Sequence, residues 1–232
     1  MRSRFSLPLI IAGLLGLGAA PCAWALDEAW VVPRVVSFGG TCTGCDLSRR
    51  KLTGARFVGA TFDNASLVAS DLRGAAFMGS DFSGADFSRA DLRGAQMMGG
   101  DFGSGSFENA ALGGIDAQGA DFSGANARGA NFDGAELVGA DLSHGVFERA
   151  NFRNTDLTGA DLSAGRFGGA DFKGATLRGT DIGGADLATA KNLTRDQVTA
   201  ACADGATKLP GGLPGRRCGA RSMTIITTTR RH

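Results

Sequence analysis

The sequence predicts an all-β solenoid, a rod of stacked coils in which no coil is long enough to bury its own apolar side chains. The first observation is a five-residue period that runs without insertion or deletion from residue 45 to 189 of the 232-residue chain, through 29 blocks. The second is that the third position of the block is Phe or Leu in 25 of these blocks. The third is that the fifth position is Gly in 18 of them.

A five-residue period fits neither regular secondary structure. An α-helix turns about 100° per residue, so residues five apart spiral around its surface and form no apolar face. A flat strand alternates faces, so residues five apart point to opposite sides. The pattern fits a short extended piece followed by a corner, since Gly reaches positive φ without a steric penalty. The third side chain then points inward beside the small first residue, which is Ala in 18 blocks.

The block resembles the repeat of the pentapeptide-repeat family, Ala-(Asp/Asn)-(Leu/Phe)-x-x. Representative blocks are Ala85-Asp86-Phe87-Ser88-Arg89 and Ala160-Asp161-Leu162-Ser163-Ala164. The resemblance covers the whole repeat and implies a right-handed quadrilateral β-helix with four blocks, or 20 residues, per coil. The repeat at 45–189 then gives about seven coils and a rod on the order of 35 Å long. Two inward positions in this rod are only alanine, Ala117 and Ala127, which predicts a thin core there.

The first 25 residues are typical of a secretory signal peptide. Arg2 and Arg4 precede the apolar run Leu7–Ala20, and Ala23-Trp24-Ala25 supplies the small residues of a cleavage site. The apolar run is short for a membrane span, which takes about 20 residues. We therefore expect an exported protein, periplasmic or secreted, whose mature chain begins at Leu26; an uncleaved anchor is the alternative.

The segments on either side of the repeat are expected to cap the open ends of its core. Residues 26–44 form the predicted N-terminal cap, in which Trp30–Val36 is apolar and Gly40–Gly44 is a partial block in the same register. Residues 190–232 form the predicted C-terminal cap and basic tail.

The predicted C-terminal cap contains a helix signal. Thr194 is placed to be an N-cap, with Gln197 three residues later, as in a capping box. The tail is basic and is a possible contact for anionic surfaces, through five arginines: Arg216, Arg217, Arg221, Arg230 and Arg231.

Four cysteines remain after signal removal, Cys42, Cys45, Cys202 and Cys218. They can pair in three ways, and an oxidising compartment permits disulfides. Bonded cysteines have Cα atoms within about 7 Å, so a cysteine at one end of a rod on the order of 35 Å long cannot pair with a cysteine at the other end. We therefore expect Cys42–Cys45 and Cys202–Cys218. The C-x-x-C spacing of the first pair also occurs at redox and zinc sites, but no thioredoxin-like pattern surrounds it.

With 20 residues per coil, outward side chains that are 20 residues apart lie one above another and form columns along the rod. One column, the acidic ladder, has stacked carboxylates that repel one another and make one face electronegative: Asp81, Asp101, Asp121, Asp141, Asp161 and Asp181. Turn chemistry and solubility explain the same residues equally well, and divalent-cation binding is a further alternative. A second column, the apolar stripe, is a candidate protein-binding or dimer face: Val58, Met78, Met98 and Val138. Its alternative is ordinary surface exposure.

Composition argues against catalysis, since the chain has only 2 His and no Tyr. His144 lies at a corner near Asp141 and Ser143, but side chains along one outward segment do not converge on a pocket. We expect a non-enzymatic binding or structural module of the bacterial envelope, with no cofactor or metal. Its expected partner is an unknown protein or a second copy, and nucleic acid is not expected. Two alternatives are a DNA mimic that binds a topoisomerase, which the family resemblance suggests, and thiol redox through Cys42 and Cys45.

Overall fold

A computed structural model of the protein describes residues 36–217. The predicted signal peptide, most of the predicted N-terminal cap, Cys218 and most of the basic tail lie outside these described residues. The first five-residue block of the repeat begins at Cys45, and block positions are counted from it.

Coils stack through one repeated backbone contact. From Asp46 to Asp171, the second position of each block forms a parallel bridge with the residue 20 positions further on. At the bridge between Asp81 and Asp101, the N–H of Phe82 donates to the Asp101 carbonyl at 2.7 Å, and the N–H of Asp101 donates to the Ser80 carbonyl at 2.9 Å. In residues 36–217 these bridges are isolated, so each side of a coil is a one-bridge extended piece rather than a longer strand.

Corners occur where the sequence predicts them. In each turn the first residue of one block donates its N–H to the carbonyl of the preceding third residue, as from Ala85 to Phe82 at 3.0 Å. The fifth residue has positive φ in 28 of the 29 blocks, the exception being Thr189. Positive φ at this place is what a type II turn requires, and Gly meets it without strain. Ten of these corners carry another residue, including Arg89 and His144.

The core consists of stacked third-position side chains. Twelve phenylalanines are fully buried. Rings one coil apart lie nearly parallel, with centroids 5.0 Å apart for Phe57 and Phe77 and 4.9 Å apart for Phe87 and Phe107. Rings on adjoining sides meet edge to face, as Phe57 and Phe62 do at 5.3 Å. Both geometries are favourable for aromatic pairs.

The first position of the block adapts to the ring beside it. Its four glycines each precede a third-position phenylalanine by two residues: Gly100, Gly105, Gly145 and Gly165. A Cβ at Gly145 would lie 2.5 Å from Cε2 of Phe147. Where the residue is Ser or Thr, its buried hydroxyl donates to a backbone carbonyl, as Thr155 does to Phe132 at 2.8 Å. Apart from Arg50 and Ile115, the residues at this position are small or have a hydroxyl that bonds the backbone, as the sequence predicts.

The two core alanines share one coil. Ala117 and Ala127 are buried, and Ala127 interrupts a column that has Phe107 before it and Phe147 after it. The same coil carries Ile115, a first-position isoleucine that is 1% exposed and adds volume near Ala117. The thin core thus stays a prediction, concentrated at Ala127.

Stacking continues past the end of the sequence period. After residue 189, Asp181 pairs with Cys202 and Asp186 pairs with Lys208. Helix α1 (Arg195–Ala200) has the predicted N-cap at Thr194, with a complete capping box formed with Gln197.

The C-terminal segment also contacts the last regular coil. The Gln197 side-chain amide donates to the carbonyls of Phe172 and Ala175, both at 2.8 Å. A single 3-10 turn follows at Pro210–Gly212. Neither described helix is long and apolar enough to cross a membrane.

The left-handed corners predict opposite effects for two reciprocal substitutions. Ala164 has φ of 54°, whereas Gly139 has φ of 65° and open space around its missing Cβ. We expect Ala164→Gly to raise the free energy of unfolding by about 0.5–1 kcal/mol, and Gly139→Ala to lower it by the same amount. Alanine is strained at a left-handed corner, but it also restricts the unfolded chain more than glycine does, and this second effect offsets part of the first. Thermal denaturation measures both, and equal signs for the two variants would contradict this account of the corners.

The thin core predicts that a larger side chain is accepted at Ala127. We expect Ala127→Leu to raise the free energy of unfolding by about 1–2 kcal/mol, because it fills space between Phe107 and Phe147. The matched control is Ala125→Leu, two residues away at a first position, which should overpack the core and cost about 1–3 kcal/mol. Equal losses in the two variants would show that the coil is already full.

Candidate binding surfaces

The apolar stripe lies on one side of the rod. Val58 is 47% exposed and Met98 is 42% exposed, the two large hydrophobic side chains among the described residues that are classed as exposed. Met78, in the coil between them, and Val138 are half-buried. Gln118 interrupts the column and is exposed. Consecutive coils along this side are linked by bridges such as Arg56 with Ala76, which fix the spacing of the stripe.

Glycine corners border the stripe on both sides. The corner that follows each stripe residue is Gly in all seven coils: Gly59, Gly79, Gly99, Gly119, Gly139, Gly159 and Gly179. A Cβ at any of these would meet nothing within 4 Å. The corner on the other edge is also Gly, except at Asn154. This side of the rod is therefore flat, and at these corners only Asn154 has a side chain that would hold a partner's backbone away.

Charge is divided along the same side. The second-position column beside the stripe begins with exposed Arg56 and continues through buried Ala76 and exposed Gln96. It then becomes acidic at three consecutive coils, which we call the acidic segment: Asp116, Glu136 and Asp156. Gln118 donates to the Glu136 carboxylate at 2.9 Å. The second-position column thus has a basic end and an acidic half, and exposed Arg178 ends the stripe's own column beyond that acidic half.

The acidic ladder is a continuous column. Its six carboxylates stack through the bridges that run from Asp81 with Asp101 to Asp161 with Asp181. Each Oδ1 accepts the N–H of the residue two places on, at 2.7 Å for Asp121 and 3.0 Å for Asp81. These bonds support the turn, which is the structural explanation of the column. Among the ion pairs of the described residues none involves a ladder carboxylate, so the negative charge is left uncompensated by basic side chains.

Asp204 lengthens this acidic face and was not found from the sequence. It accepts the N–H of Gly184 at 2.9 Å, and a Cβ at Gly183 would lie 3.4 Å from its Oδ2 and 3.1 Å from Oδ1 of Asp181. Backbone donation from Gly184, followed by the hydroxyl of Thr207, lowers the pKa of Asp204 to about 2. The period ends before this residue, so no regular spacing marks it.

Another side of the rod carries paired charges of both signs. Arg73 bonds Asp71 at 2.8 Å and lies 3.7 Å from Asp91, which Arg93 bonds at 2.6 Å. Hydrogen bonding from the Arg73 guanidinium lowers the pKa of Asp71 to about 2. The hydrogen bond from Arg93 likewise lowers the pKa of Asp91. This side therefore neutralises itself, in contrast to the acidic ladder.

A shallow groove of about 1000 Å³ follows a corner near the C-terminal half. Glu148 lines this groove and forms ion pairs with Arg128, at 3.3 Å, and with Arg166. These two ion pairs link three consecutive coils. The sequence does not predict this groove, because the residues that line it occupy several block positions in separate coils. His144 lies at an exposed corner with φ of 57°.

The cysteines that the structure describes are disulfide-bonded. Cys42 and Cys45 form a disulfide with Cα atoms 5.6 Å apart. Cys45 is 6% exposed within the core, and Cys42 packs against the core. Cys202 is also disulfide-bonded, while Cys218, its expected partner, lies outside the described residues. In the described part of the chain, no group of three or more His, Cys, Asp or Glu side chains is placed to hold a metal ion.

Sequence comparison identifies the class of protein that this fold and these columns define. The family described as pentapeptide repeats matches in 8 copies, over residues 42–77, 67–103, 106–143, 135–174 and 155–191. These ranges cover more than half of the chain, so the chain belongs to the pentapeptide-repeat family. A search of curated proteins gave no significant match.

Solved structures similar to this chain include pentapeptide-repeat proteins of different origins. QnrB1, a plasmid-mediated fluoroquinolone resistance protein, is 20% identical, with 73% of this chain and 92% of that chain covered and a TM-score of 0.49. A protein from the thylakoid lumen of Arabidopsis thaliana is 31% identical, with 50% and 82% covered and a TM-score of 0.46. HetL, involved in heterocyst differentiation regulation in the cyanobacterium Nostoc, is 25% identical, with 74% and 83% covered and a TM-score of 0.34.

The paired side predicts a contribution to stability that is lost in acid. The pKa of Asp71 is about 2 instead of the ordinary 3.8. A lowered folded-state pKa means that the stabilisation is fully present above about pH 4 and is lost as the pH falls toward 2. Asp71→Asn should cost less than about 1 kcal/mol at neutral pH, because the pair is partly exposed, and should flatten the loss of stability in acid.

Urea denaturation at stepped pH measures this effect. Arg73→Gln removes the donor and should flatten the acid dependence in the same way as Asp71→Asn. An unchanged pH profile in both variants would mean that the pair contributes nothing to folding.

Proposed function

We propose that the protein is an exported, non-enzymatic binding module of the bacterial envelope, and that it binds a protein partner through the apolar stripe. The observation that carries this proposal is the flat side that holds exposed Val58 and Met98 between two glycine edges. Exposed apolar side chains on a flat surface are typical of protein interaction sites. The glycine edges support the same role, because a partner can approach the backbone closely.

The disulfide of Cys42 with Cys45 and the disulfide-bonded state of Cys202 support export. Disulfides persist in oxidising compartments such as the periplasm, and they are rare in the bacterial cytosol. The burial of Cys45 in the core supports a structural role for this bridge rather than redox chemistry, for which a reactive thiol is partly exposed.

The proposal includes the form of the rod. Family membership implies a right-handed quadrilateral β-helix, and the 20-residue bridge register supports about seven coils. Caps at both ends belong to the same proposal. Contacts of α1 with the last regular coil support the C-terminal cap. A stiff rod of this kind presents its columns to partners without rearrangement.

Cell fractionation and capture test this proposal together. We expect the mature protein, beginning at Leu26, to be found in the envelope fraction and to retain a partner from envelope extract. The double variant Met78→Asp, Met98→Asp should capture at least about tenfold less partner, because binding would bury two unpaired charges. Full-length protein in the cytosol would overturn the export proposal.

The matched control places the same charges on a neighbouring side. Val68 and Ser88 are also fourth-position residues in consecutive coils, so Val68→Asp, Ser88→Asp should leave capture unchanged. Equal capture by both double variants would reject the stripe as the interface.

A second candidate function is DNA mimicry toward a topoisomerase, and one observation favours it. The acidic ladder and Asp204 form a column of carboxylates without basic partners. A supercoiling assay with the mature protein tests this function, and inhibition that is lost on Asp101→Asn, Asp121→Asn, Asp141→Asn would establish it. Protein found only in the envelope would remove a cytosolic topoisomerase as the target.

A further inference from the structure

We propose that the partner of the apolar stripe is a second copy of this chain, packed face to face and antiparallel, with Arg56 of each copy against the acidic segment of the other. This inference rests on the binding role proposed for the stripe and names its partner. The acidic segment is Asp116, Glu136 and Asp156, and these residues lie on the same side of the rod as Val58 and Met98.

Two-fold symmetry determines which columns meet. When two identical flat sides face each other about an axis perpendicular to the rods, the rods run antiparallel and each column faces its own copy. The second-position column then meets the second-position column, and the stripe meets the stripe. The basic end of one column therefore lies against the acidic half of the same column in the other copy.

The register that charge favours places the axis between the coils of Met98 and Gln118. Six of the seven coils then overlap, because the bridges keep the coils in a constant 20-residue step. Overlap of all seven coils would set Val58 opposite Arg178 and Asp116 opposite its own copy, so charge complementarity disfavours that register. This register sets Arg56 opposite Asp156, Met78 opposite Val138 and Met98 opposite Gln118. Each contact occurs twice by symmetry, so charge and apolar area are matched at both ends of the interface.

The parallel arrangement has no such matching. With the axis along the rods, coils at the same height would meet, and each second-position residue, the middle one of the three extended residues of a side, would face its own copy. Arg56 would then meet Arg56, and Glu136 would meet Glu136, so like charges would be buried against each other. Charge complementarity therefore selects the antiparallel dimer.

The size of the side determines the strength of the dimer. Six coils at about 4.8 Å give a length near 30 Å, and three extended residues across a side give a width near 10 Å. This contact is smaller than the roughly 800 Å² per partner of a standard stable interface. We therefore expect a weak, concentration-dependent dimer, whose dissociation constant lies above the nanomolar range.

Sedimentation equilibrium of the purified mature protein, from micromolar to about millimolar concentration, tests the proposal. We expect a monomer–dimer equilibrium whose dissociation constant rises about tenfold on Arg56→Glu, because two like-charge contacts replace two ion pairs. Asp156→Arg alone should weaken the dimer in the same way, and the charge-swapped Arg56→Glu, Asp156→Arg variant should restore it. Thermal denaturation confirms folding, since both substituted side chains lie on the outside of the rod.

The outcomes separate this inference from the proposed function. Restoration by Glu136→Arg instead of Asp156→Arg would support the antiparallel dimer in a register shifted by one coil. A protein that stays monomeric throughout the concentration range, or a dimer unaffected by Arg56→Glu, would overturn the inference. Envelope capture that is lost in the Met78→Asp, Met98→Asp variant would still support the stripe as a binding face for a different protein.

Discussion

The left-handed corner at the fifth position is the constraint on which the rest of this structure depends. Because φ is positive there, the chain turns after every five residues and returns to the same side after 20. That return brings each N–H and carbonyl of the extended piece opposite its partner in the next coil, so the backbone is hydrogen-bonded without long strands. The inward third side chain follows from the same turn. The stacked rings, as in Phe132 with Phe152 at 5.0 Å, are therefore a product of the corner as much as of hydrophobicity.

A backbone this regular leaves function to the outward columns. All four sides share one hydrogen-bonding scheme, yet their side chains differ: one is acidic and unpaired, another pairs Asp71 with Arg73, and a third is apolar between glycine edges. The local geometry of a block says nothing about which column binds. Only the charges and apolar side chains that coils bring together, such as Arg56 and Asp156 on the side of the stripe, carry that information.

The sequence alone predicts most of the fold because period and chemistry agree at every block. The corners, the inward phenylalanines and the N-cap at Thr194 all follow from residue types at fixed spacing. The sequence does not predict Asp204, because the position of this residue beside Asp181 depends on an irregular segment after residue 189. Nor does it predict the Arg128–Glu148–Arg166 cluster, in which Arg128 and Glu148 share the fourth position of consecutive coils but Arg166 occupies the second position of the next coil. Side-chain reach between coils, rather than backbone register, determines such contacts.

The two ends of the rod have a kinetic significance that the regular middle does not share. In a one-dimensional stack each coil is held by its two neighbours, so opening begins at a terminal coil, which has only one. Cys42 and Cys45 tie the chain at the first coil, and disulfide-bonded Cys202 lies where the chain pairs with Asp181 at the last. Covalent bonds thus lie at the places from which fraying would start. The rod's lifetime in an environment rich in proteases would then be governed by its ends, while its middle remains free to vary in surface chemistry.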